Sequence, residues 1–271
     1  MAGIHGKVRR RDEEFTQRAV TKIWRESPSP ENPYLTESCR CHGYDLLELM
    51  DKRGFVETLL LLFRGDLPSR DETRLFEQLM IALINPGPRH PATRAAMCAG
   101  VGKTDTTQIL PVALTVLSGE FLGAGEIEEG MRFLRKESNN DPREVADNLL
   151  AQAARPEVGD WHIAPGFGCR FGGIDRLAMQ QARLLTGAPA AGKCLAWGSA
   201  FSDALAEDGL GWLATGLAAA VFADLGIQPR LGPGLFQLLN APGMLAHGVE
   251  LANKPLTALP FVKDEDYIIE G

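Results

Sequence analysis

Apolar residues that recur three and four positions apart dominate the chain from Gly43 onward, and this pattern constrains the fold more than any other feature. Such spacing gathers apolar side chains on one face of an α-helix, whereas a half-buried strand needs strict alternation, which is scarce in this sequence. The first two helices, broken at Gly54, are predicted from Tyr44, Leu46, Leu47, Leu49 and Met50 and then from Phe55, Val56, Leu59, Leu60, Leu62 and Phe63. The sequence therefore predicts an all-α protein.

Capping and breaking residues set the limits of the other helices. Ser69 followed by Asp71 and Glu72 is typical of a helix start, and Pro86-Gly87-Pro88 ends that helix near Ile84. Further helices are predicted at 92–100, 105–118, 122–137, 142–153, 174–186, 191–207, 209–225, 232–239 and 242–253. The apolar stretch at 210–225 is about 16 residues long, shorter than the roughly 20 that cross a bilayer, which predicts a buried core helix.

Composition divides the chain into an arm and two domains. Residues 1–42 are polar and proline-rich, which predicts an extended N-terminal arm. The glycine-rich break at 165–173 suggests that a small helical domain, 161–231, interrupts a large helical domain made of 43–160 and 232–271.

The balance of charge excludes some classes of partner. The chain carries 28 Lys and Arg against 35 Asp and Glu, a formal net charge of −7, which argues against nucleic acid or an anionic membrane as main partner. Five scattered cysteines form no disulfide framework, and the start shows no apolar stretch of the kind found in secretory signals. A cytoplasmic location is expected.

Four segments resemble, in the same order, four motifs of the citrate synthase superfamily. They are Gly43-Tyr44-Asp45 with the ending Gly65-Asp66-Leu67-Pro68, the helix start Leu122 to Glu126, the loop Pro165-Gly166-Phe167-Gly168-Cys169, and the helix Ala241 to Glu250. The compact length and Phe121 favour the citryl-CoA lyase branch, because synthases carry a catalytic His where citryl-CoA lyases have Phe.

The resemblance implies a ligand, a reaction and an assembly. It implies a large and a small helical domain with CoA or acyl-CoA bound in a cleft between them. It also implies the making or breaking of a carbon–carbon bond beside the thioester of the acyl-CoA. It implies no metal. Pro165, Gly166, Phe167 and Gly168 would grip the adenine part of CoA mostly through backbone groups, and helices would pair across a homodimer.

Most catalytic side chains of the family are replaced in this sequence. Pro86 stands where a His is expected, Cys169 replaces the loop His, and Thr215 holds the position of an acid, although some lyase-like relatives also carry Thr there. Asn240 replaces an Arg. Of the arginines that the resemblance leads us to expect, only Arg176, after Asp175, is retained in this sequence. An amide such as Asn85 or Asn240 donates hydrogen bonds without neutralising a carboxylate, which implies a substrate less acidic than citrate.

Several replacements remain open to two interpretations. Cys169 is either a nucleophile or weak acid beside Arg170, or a residue that fills the space of the missing imidazole. Arg89 and His90 either supply the missing polar groups, His90 by titrating near neutrality, or lie in a solvated loop. His247 matches a structural position of the family and is expected to be a buried, hydrogen-bonded histidine.

Two further patterns are interpreted as structural. Gly187 to Lys193 has the phosphate-loop spacing GxxxxGK, but it is followed by Cys194 instead of Ser or Thr and lies between predicted helices. Cys39-x-Cys41-His42 lacks a second pair of ligands for zinc, so no metal is expected.

Three functions stay open at this stage. The first is a homodimeric enzyme that acts on a CoA thioester and a substrate other than citrate. The second is a non-catalytic homologue that binds acyl-CoA, and the third is the degenerate subunit of a heteromer whose intact paralogue supplies the acid and base.

Overall fold

The computed structural model describes residues 18–269, which leaves the first part of the predicted arm outside the described residues. The chain divides into two compact units, Met1–Leu67 and Pro68–Gly271. Over the described residues it contains eleven α-helices and two small antiparallel sheets. The prediction of a predominantly helical fold is confirmed.

Between residues 18 and 67, the first unit combines a three-stranded sheet with two helices. Strands β1 (Trp24–Pro28), β2 (Thr36–Cys41) and β3 (Tyr44–Asp45) pair in that order and are followed by α1 (Leu46–Lys52) and α2 (Phe55–Arg64). Cys41, Leu49 and Leu61 form its buried cluster. The two helices broken at Gly54 were predicted, but the sheet was not, and it corrects the expectation of an extended arm for residues 24–41.

Over its described residues, 68–269, the second unit holds nine helices and a second small sheet. The helices are α3 (Arg70–Leu83), α4 (Pro91–Val101), α5 (Thr106–Leu117), α6 (Ile127–Glu137), α7 (Pro142–Gln152), α8 (Arg176–Thr186), α9 (Lys193–Ala204), α10 (Ala214–Asp224) and α11 (Gly232–Ala252). Strands β4 (His162–Ala164), β5 (Phe167–Gly168) and β6 (Gly211–Trp212) form the sheet. The predicted boundaries between a large and a small domain stay a prediction.

Helix α10 forms the centre of this unit. Every residue from Thr215 to Phe222 is buried, which agrees with the predicted core helix, although the segment begins with strand β6 rather than as a helix. Within residues 18–269, no helix has both the length and the apolar character needed to cross a membrane.

Helix α11 is continuous where two helices were predicted. Pro242 lies inside its 21 residues. Proline removes one hydrogen bond of a helix, so it is tolerated only where packing compensates for that loss. Helix α11 packs against α4 and α5, and Gly248 allows this close approach, because a Cβ there would lie 2.3 Å from Ile109 Cγ2 and 2.9 Å from the Ala96 carbonyl oxygen.

An aromatic cluster anchors the second sheet and the loop that follows it. Phe167 packs on Trp212 with ring centroids 4.4 Å apart and meets Phe201 edge-on at 4.9 Å. In the turn between β4 and β5, Gly166 adopts a φ of +83° and approaches Gly216 closely. A Cβ at residue 166 would lie 2.3 Å from the Gly216 Cα. These contacts fix the segment 165–170 against the start of α10.

Candidate active site

A cavity in the second unit, the central pocket, collects polar side chains from distant parts of the chain. It has a volume of about 80 Å³. Its polar lining comes from the end of α3, the start of α4, the loop after β5, helix α8, and helices α10 and α11. The residues are Asn85, His90, Arg170, Asp175, Gln181, Thr215 and Asn240.

Four of the seven predicted catalytic and substrate-binding residues therefore meet in one place. Asn85, His90, Thr215 and Asn240 line the central pocket, beside Pro86, which stands at the missing histidine. Cys169, Arg89 and Arg176 are not among its lining residues.

Asn85 connects the central pocket to helix α11. Its Oδ1 accepts the Gly87 N–H at 2.9 Å, and its Nδ2 lies 3.2 Å from His247 Nε2, so that His247 accepts there. His247 Nδ1 in turn faces Glu250 at 3.8 Å. His247 is half-buried, so it is hydrogen-bonded as expected but less enclosed than expected. Asn240 is buried and donates to the Phe236 carbonyl at 2.8 Å.

His90 is held in one tautomer by the backbone. As the N-cap of α4 it accepts the Ala92 N–H at Nδ1, and its Nε2 lies 3.2 Å from the Leu122 carbonyl oxygen, to which it donates. Burial lowers the pKa of His90, with a further lowering by the charge of Arg170, while the hydrogen bond to Leu122 opposes both. His90 is therefore neutral at pH 7, and both ring nitrogens are occupied.

Arg170 is the cation that lines the central pocket, whereas from the sequence it was considered only as a neighbour of Cys169. Its Nη1 donates to Asp175 Oδ2 at 3.1 Å, and its buried Nε has no hydrogen-bond partner among the described residues. The other oxygen of Asp175 caps α8 by accepting the amides of Leu177 and Ala178. Because this carboxylate is divided among several donors, it neutralises Arg170 only partly.

Thr215 donates its hydroxyl proton to a glutamate that the sequence analysis did not select. The Thr215 Oγ1 lies 2.6 Å from Glu126 Oε2. The second oxygen of Glu126 accepts the Gly166 N–H at 2.8 Å and lies 3.5 Å from His162 Nδ1. Glu126 belongs to the segment 122–126, which resembles a helix-start motif of the citrate synthase superfamily. Its contacts with residues 166 and 215 are visible only in three dimensions.

A wider depression, the loop groove, lies on the other side of Glu126. It has a volume of about 430 Å³ and includes the ring of Phe121 stacked on His162 with centroids 4.7 Å apart. Three carboxylates, those of Glu120, Glu126 and Glu129, also line it. Of the predicted CoA loop, Pro165 alone is among its lining residues.

The other three loop residues are buried and their backbones are largely paired. The Gly166 N–H donates to Glu126, and the Gly166 carbonyl accepts the Leu213 N–H. Phe167 and Gly168 form strand β5 between β4 and β6. These groups shape the edge of the loop groove and leave few free backbone donors for a ligand.

Cys169 and the two other predicted residues lie elsewhere. Cys169 is 1% exposed, and its Sγ accepts the Trp161 N–H at 3.0 Å and donates to Asp160 at 3.8 Å. This buried, hydrogen-bonded position favours the interpretation that Cys169 fills space. Arg176 is exposed in the first turn of α8. Arg89 is exposed and lines a separate cleft beside Phe171.

The phosphate-loop pattern ends in a helix start that is already capped from within. The Asp224 carboxylate accepts the amides of Gly192, Cys194 and Leu195 at 2.8–3.0 Å, so the anion-binding end of α9 is occupied. Burial and Asp224 together raise the pKa of Cys194 to about 12. Across residues 18–269, no three His, Cys, Asp or Glu side chains are grouped so as to hold a metal ion.

Comparison with solved structures identifies the fold. The chain is similar to citryl-CoA lyase from Hydrogenobacter thermophilus, with a TM-score of 0.73 and 21% identity over 93% of this chain and 94% of that one. It also matches the ATP citrate lyase of Methanosaeta concilii in complex with (3S)-citryl-CoA, with a TM-score of 0.70 and 17% identity over 94% of this chain. It spans only 44% of that longer protein.

A synthase shares the fold less closely. The citrate synthase of the archaeon Thermoplasma acidophilum, in a ternary complex with carboxymethyl coenzyme A and oxaloacetate, matches with a TM-score of 0.58 and 19% identity over 80% of this chain and 57% of that one. No family model matches the sequence, and no curated protein matches it. The resemblance read from the motifs is confirmed at the level of the fold: the chain has the helical fold of the citrate synthase superfamily and is similar to citryl-CoA lyase.

Proposed function

We propose that the protein makes or breaks a carbon–carbon bond beside a CoA thioester, on a substrate less acidic than citrate. The charge of the central pocket carries this proposal. Among the described residues that line the pocket, Arg170 is the one guanidinium, and Asp175 already takes part of its charge. Carboxylates bind best to paired guanidinium donors, so a tricarboxylate would find too few cations. The lining fits a substrate with one carboxylate, bound to Arg170, and with neutral oxygens that accept hydrogen bonds from Asn85, Asn240 and Gln181.

The chemistry requires removal or return of a proton at the carbon next to the thioester. The Thr215–Glu126 pair is the proposed site of that transfer, because Thr215 lines the central pocket while Glu126 lines the loop groove. Thr215 would contact the substrate and Glu126 would act through it. Asn85 and Asn240 would donate to the oxygen on which negative charge develops.

The acyl-CoA would enter along the loop groove, over Pro165 and the stacked rings of Phe121 and His162. The similar proteins that were solved with citryl-CoA or carboxymethyl coenzyme A support CoA as the ligand class. The three carboxylates of the groove repel phosphate, so we expect the phosphates of CoA to lie outside it.

Deuterium exchange into acyl-CoA tests this function without knowledge of the second substrate. Acetyl-CoA and propionyl-CoA are incubated with the protein in D₂O, and label at the carbon next to the thioester is followed by mass spectrometry. We expect exchange well above the rate without protein, because proton transfer at that carbon belongs to both reaction directions, as removal in bond formation and as return in bond cleavage. Binding of acetyl-CoA without exchange would contradict the catalytic proposal.

The second candidate function is binding without catalysis, either as an acyl-CoA-binding homologue or as the degenerate subunit of a heteromer with an intact paralogue. The occupied nitrogens of His90 and the buried position of Cys169 favour it, since neither side chain offers a free acid or base. Calorimetric binding of acetyl-CoA with no exchange by the isolated protein would support this candidate. Exchange that appears only on adding the paralogue would select the heteromer.

We also propose a homodimer and a cytoplasmic location. An apolar stripe on the exposed side of α11, formed by Leu238, Pro242, Leu245 and Val249, supports pairing of subunits. The five cysteines are all free, a state that a reducing compartment maintains.

A further inference from the structure

A cleft outside the central pocket and the loop groove, the cationic cleft, carries charge that the proposed reaction does not use. It has a volume of about 510 Å³, and Arg89 and Arg94 line it together with the apolar surfaces of Met97, Leu259 and Pro260. Phe171 forms part of its wall. It adjoins the central pocket through the chain itself, because Arg89 precedes His90 and Phe171 follows Arg170.

The two arginines have no counter-charge among the residues that the structure describes. Both are exposed, and within residues 18–269 neither forms an ion pair or a side-chain hydrogen bond. The first turn of α4 contains no acidic residue, and none lines the cleft. The start of this 11-residue helix adds its own partial positive charge. In a chain with a net charge of −7, this is a local site suited to an anion with several oxygens.

Phe171 adds an aromatic surface at the same place. Its side chain is 79% exposed, and its φ of +52° is a left-handed conformation that a bulky residue seldom adopts. The Arg170 guanidinium lies 5.6 Å from the centre of its ring. Backbone strain at an exposed aromatic ring is typical of functional positions. Flat aromatic bases stack on exposed rings of this kind.

We propose that the cationic cleft binds a nucleotide phosphate, with the phosphates on Arg89 and Arg94 and the base against Phe171. The source is either a free nucleotide or the nucleotide part of CoA, whose phosphates the acidic loop groove cannot hold. This site does not depend on the proposed reaction, because a nucleotide can bind here whether or not the protein turns over an acyl-CoA.

Binding is measured by calorimetry with pyrophosphate, ADP, CoA and pantetheine at low ionic strength. We expect ADP to bind at least ten-fold more weakly to the double variant Arg89→Gln/Arg94→Gln, because both guanidiniums are lost. Phe171→Ala should weaken ADP but not pyrophosphate, which has no base. Arg143→Gln, an exposed arginine in the first turn of α7, is the matched control and should bind as the parent does.

Cys98 locates the ligand independently of affinity. It is exposed and lines the cleft, so a thiol reagent should modify it and bound ADP should slow that modification, as read by peptide mass spectrometry. If the double variant weakens CoA as well as ADP, the cleft holds the nucleotide of CoA. If it weakens ADP alone, the cleft is a separate nucleotide site. Absence of millimolar ADP and pyrophosphate binding, or unchanged affinity in the double variant, overturns the proposal.

Discussion

At the scale of single residues, Arg170 determines what the central pocket can hold. Its side chain lines the pocket and is 28% exposed, so an anionic ligand can form a charge-assisted hydrogen bond with the accessible part of the guanidinium. We expect Arg170→Gln to lower the affinity for small 2-oxo acids about ten-fold or more, since bonds to charged groups contribute roughly 1.5–3 kcal/mol. Thermal shift with pyruvate and oxaloacetate measures this.

Arg176→Gln is the control for that prediction, because Arg176 is exposed and outside the lining of the central pocket. It should respond to both acids as the parent protein does. A loss of response in Arg176→Gln and not in Arg170→Gln would show that the family arginine, and not Arg170, holds the carboxylate.

The Thr215–Glu126 hydrogen bond gives a second prediction at this scale. Thr215→Val keeps the shape of the side chain but leaves Glu126 Oε2 without its donor, which costs about 1–3 kcal/mol of stability in a buried site. Deuterium exchange into acetyl-CoA should fall far more than stability explains. Thr215→Ser restores the hydroxyl and should recover most exchange. Full exchange in Thr215→Val, with urea unfolding confirming a folded protein, would remove Thr215 from the mechanism.

The sequence identified some residues of the candidate site and missed others, for physical reasons. Motif order was enough to select Asn85, Thr215 and Asn240, because each occupies a position of a recognisable segment. The resemblance selected Arg176, whereas Arg170 is the arginine that lines the pocket, because the turn at 170–173 sets the position of Arg170 and is not visible in the sequence. Glu126 escaped notice because its importance comes from partners 40 and 89 residues away.

At the scale of elements, helix periodicity predicted most of the second unit, and its errors have physical causes. Strands β1 and β2 carry mostly exposed, polar residues, so they lack the alternation that marks a half-buried strand. The turn at His42 and Gly43, both at positive φ, joins β2 to β3 and is the clearest signal of this sheet. Pro242 suggested a break in α11, but tertiary packing against α4 and α5 keeps the helix whole.

The contact of α4 with α11 yields a stability prediction. Gly248→Ala would place a Cβ 2.9 Å from the Ala96 carbonyl oxygen of α4 and 2.3 Å from Ile109 Cγ2 of the neighbouring α5, and such overpacking typically costs about 1–3 kcal/mol. Gly234→Ala in the same helix is the control, because a Cβ there meets no atom within 4 Å, and it should stabilise by roughly 0.5–1 kcal/mol. Urea unfolding measures both. Equal stability of the two variants would mean that α4 and α11 are less closely packed than described.

At the scale of the whole molecule, the exposed stripe on α11 predicts assembly. Leu238, Pro242, Leu245 and Val249 are spaced by four, three and four residues, so they share one helix face. A contiguous apolar face on an acidic protein marks a contact surface, and an equivalent face on a second copy would cover it. We expect light scattering at micromolar concentration to give twice the monomer mass.

A charge on the stripe should separate the subunits. In Leu245→Glu/Val249→Glu, pairing would bury four carboxylates across a two-fold interface, a cost that exceeds what the remaining apolar contact supplies, so the mass should fall to that of a monomer. Leu184→Glu, which adds a charge at an exposed leucine of α8, is the control and should leave the mass unchanged. A double variant that remains dimeric would place the subunit contact elsewhere, and a parent protein that is already monomeric would mean that no such contact forms. Deuterium exchange by a monomer would mean that one chain completes the active site alone.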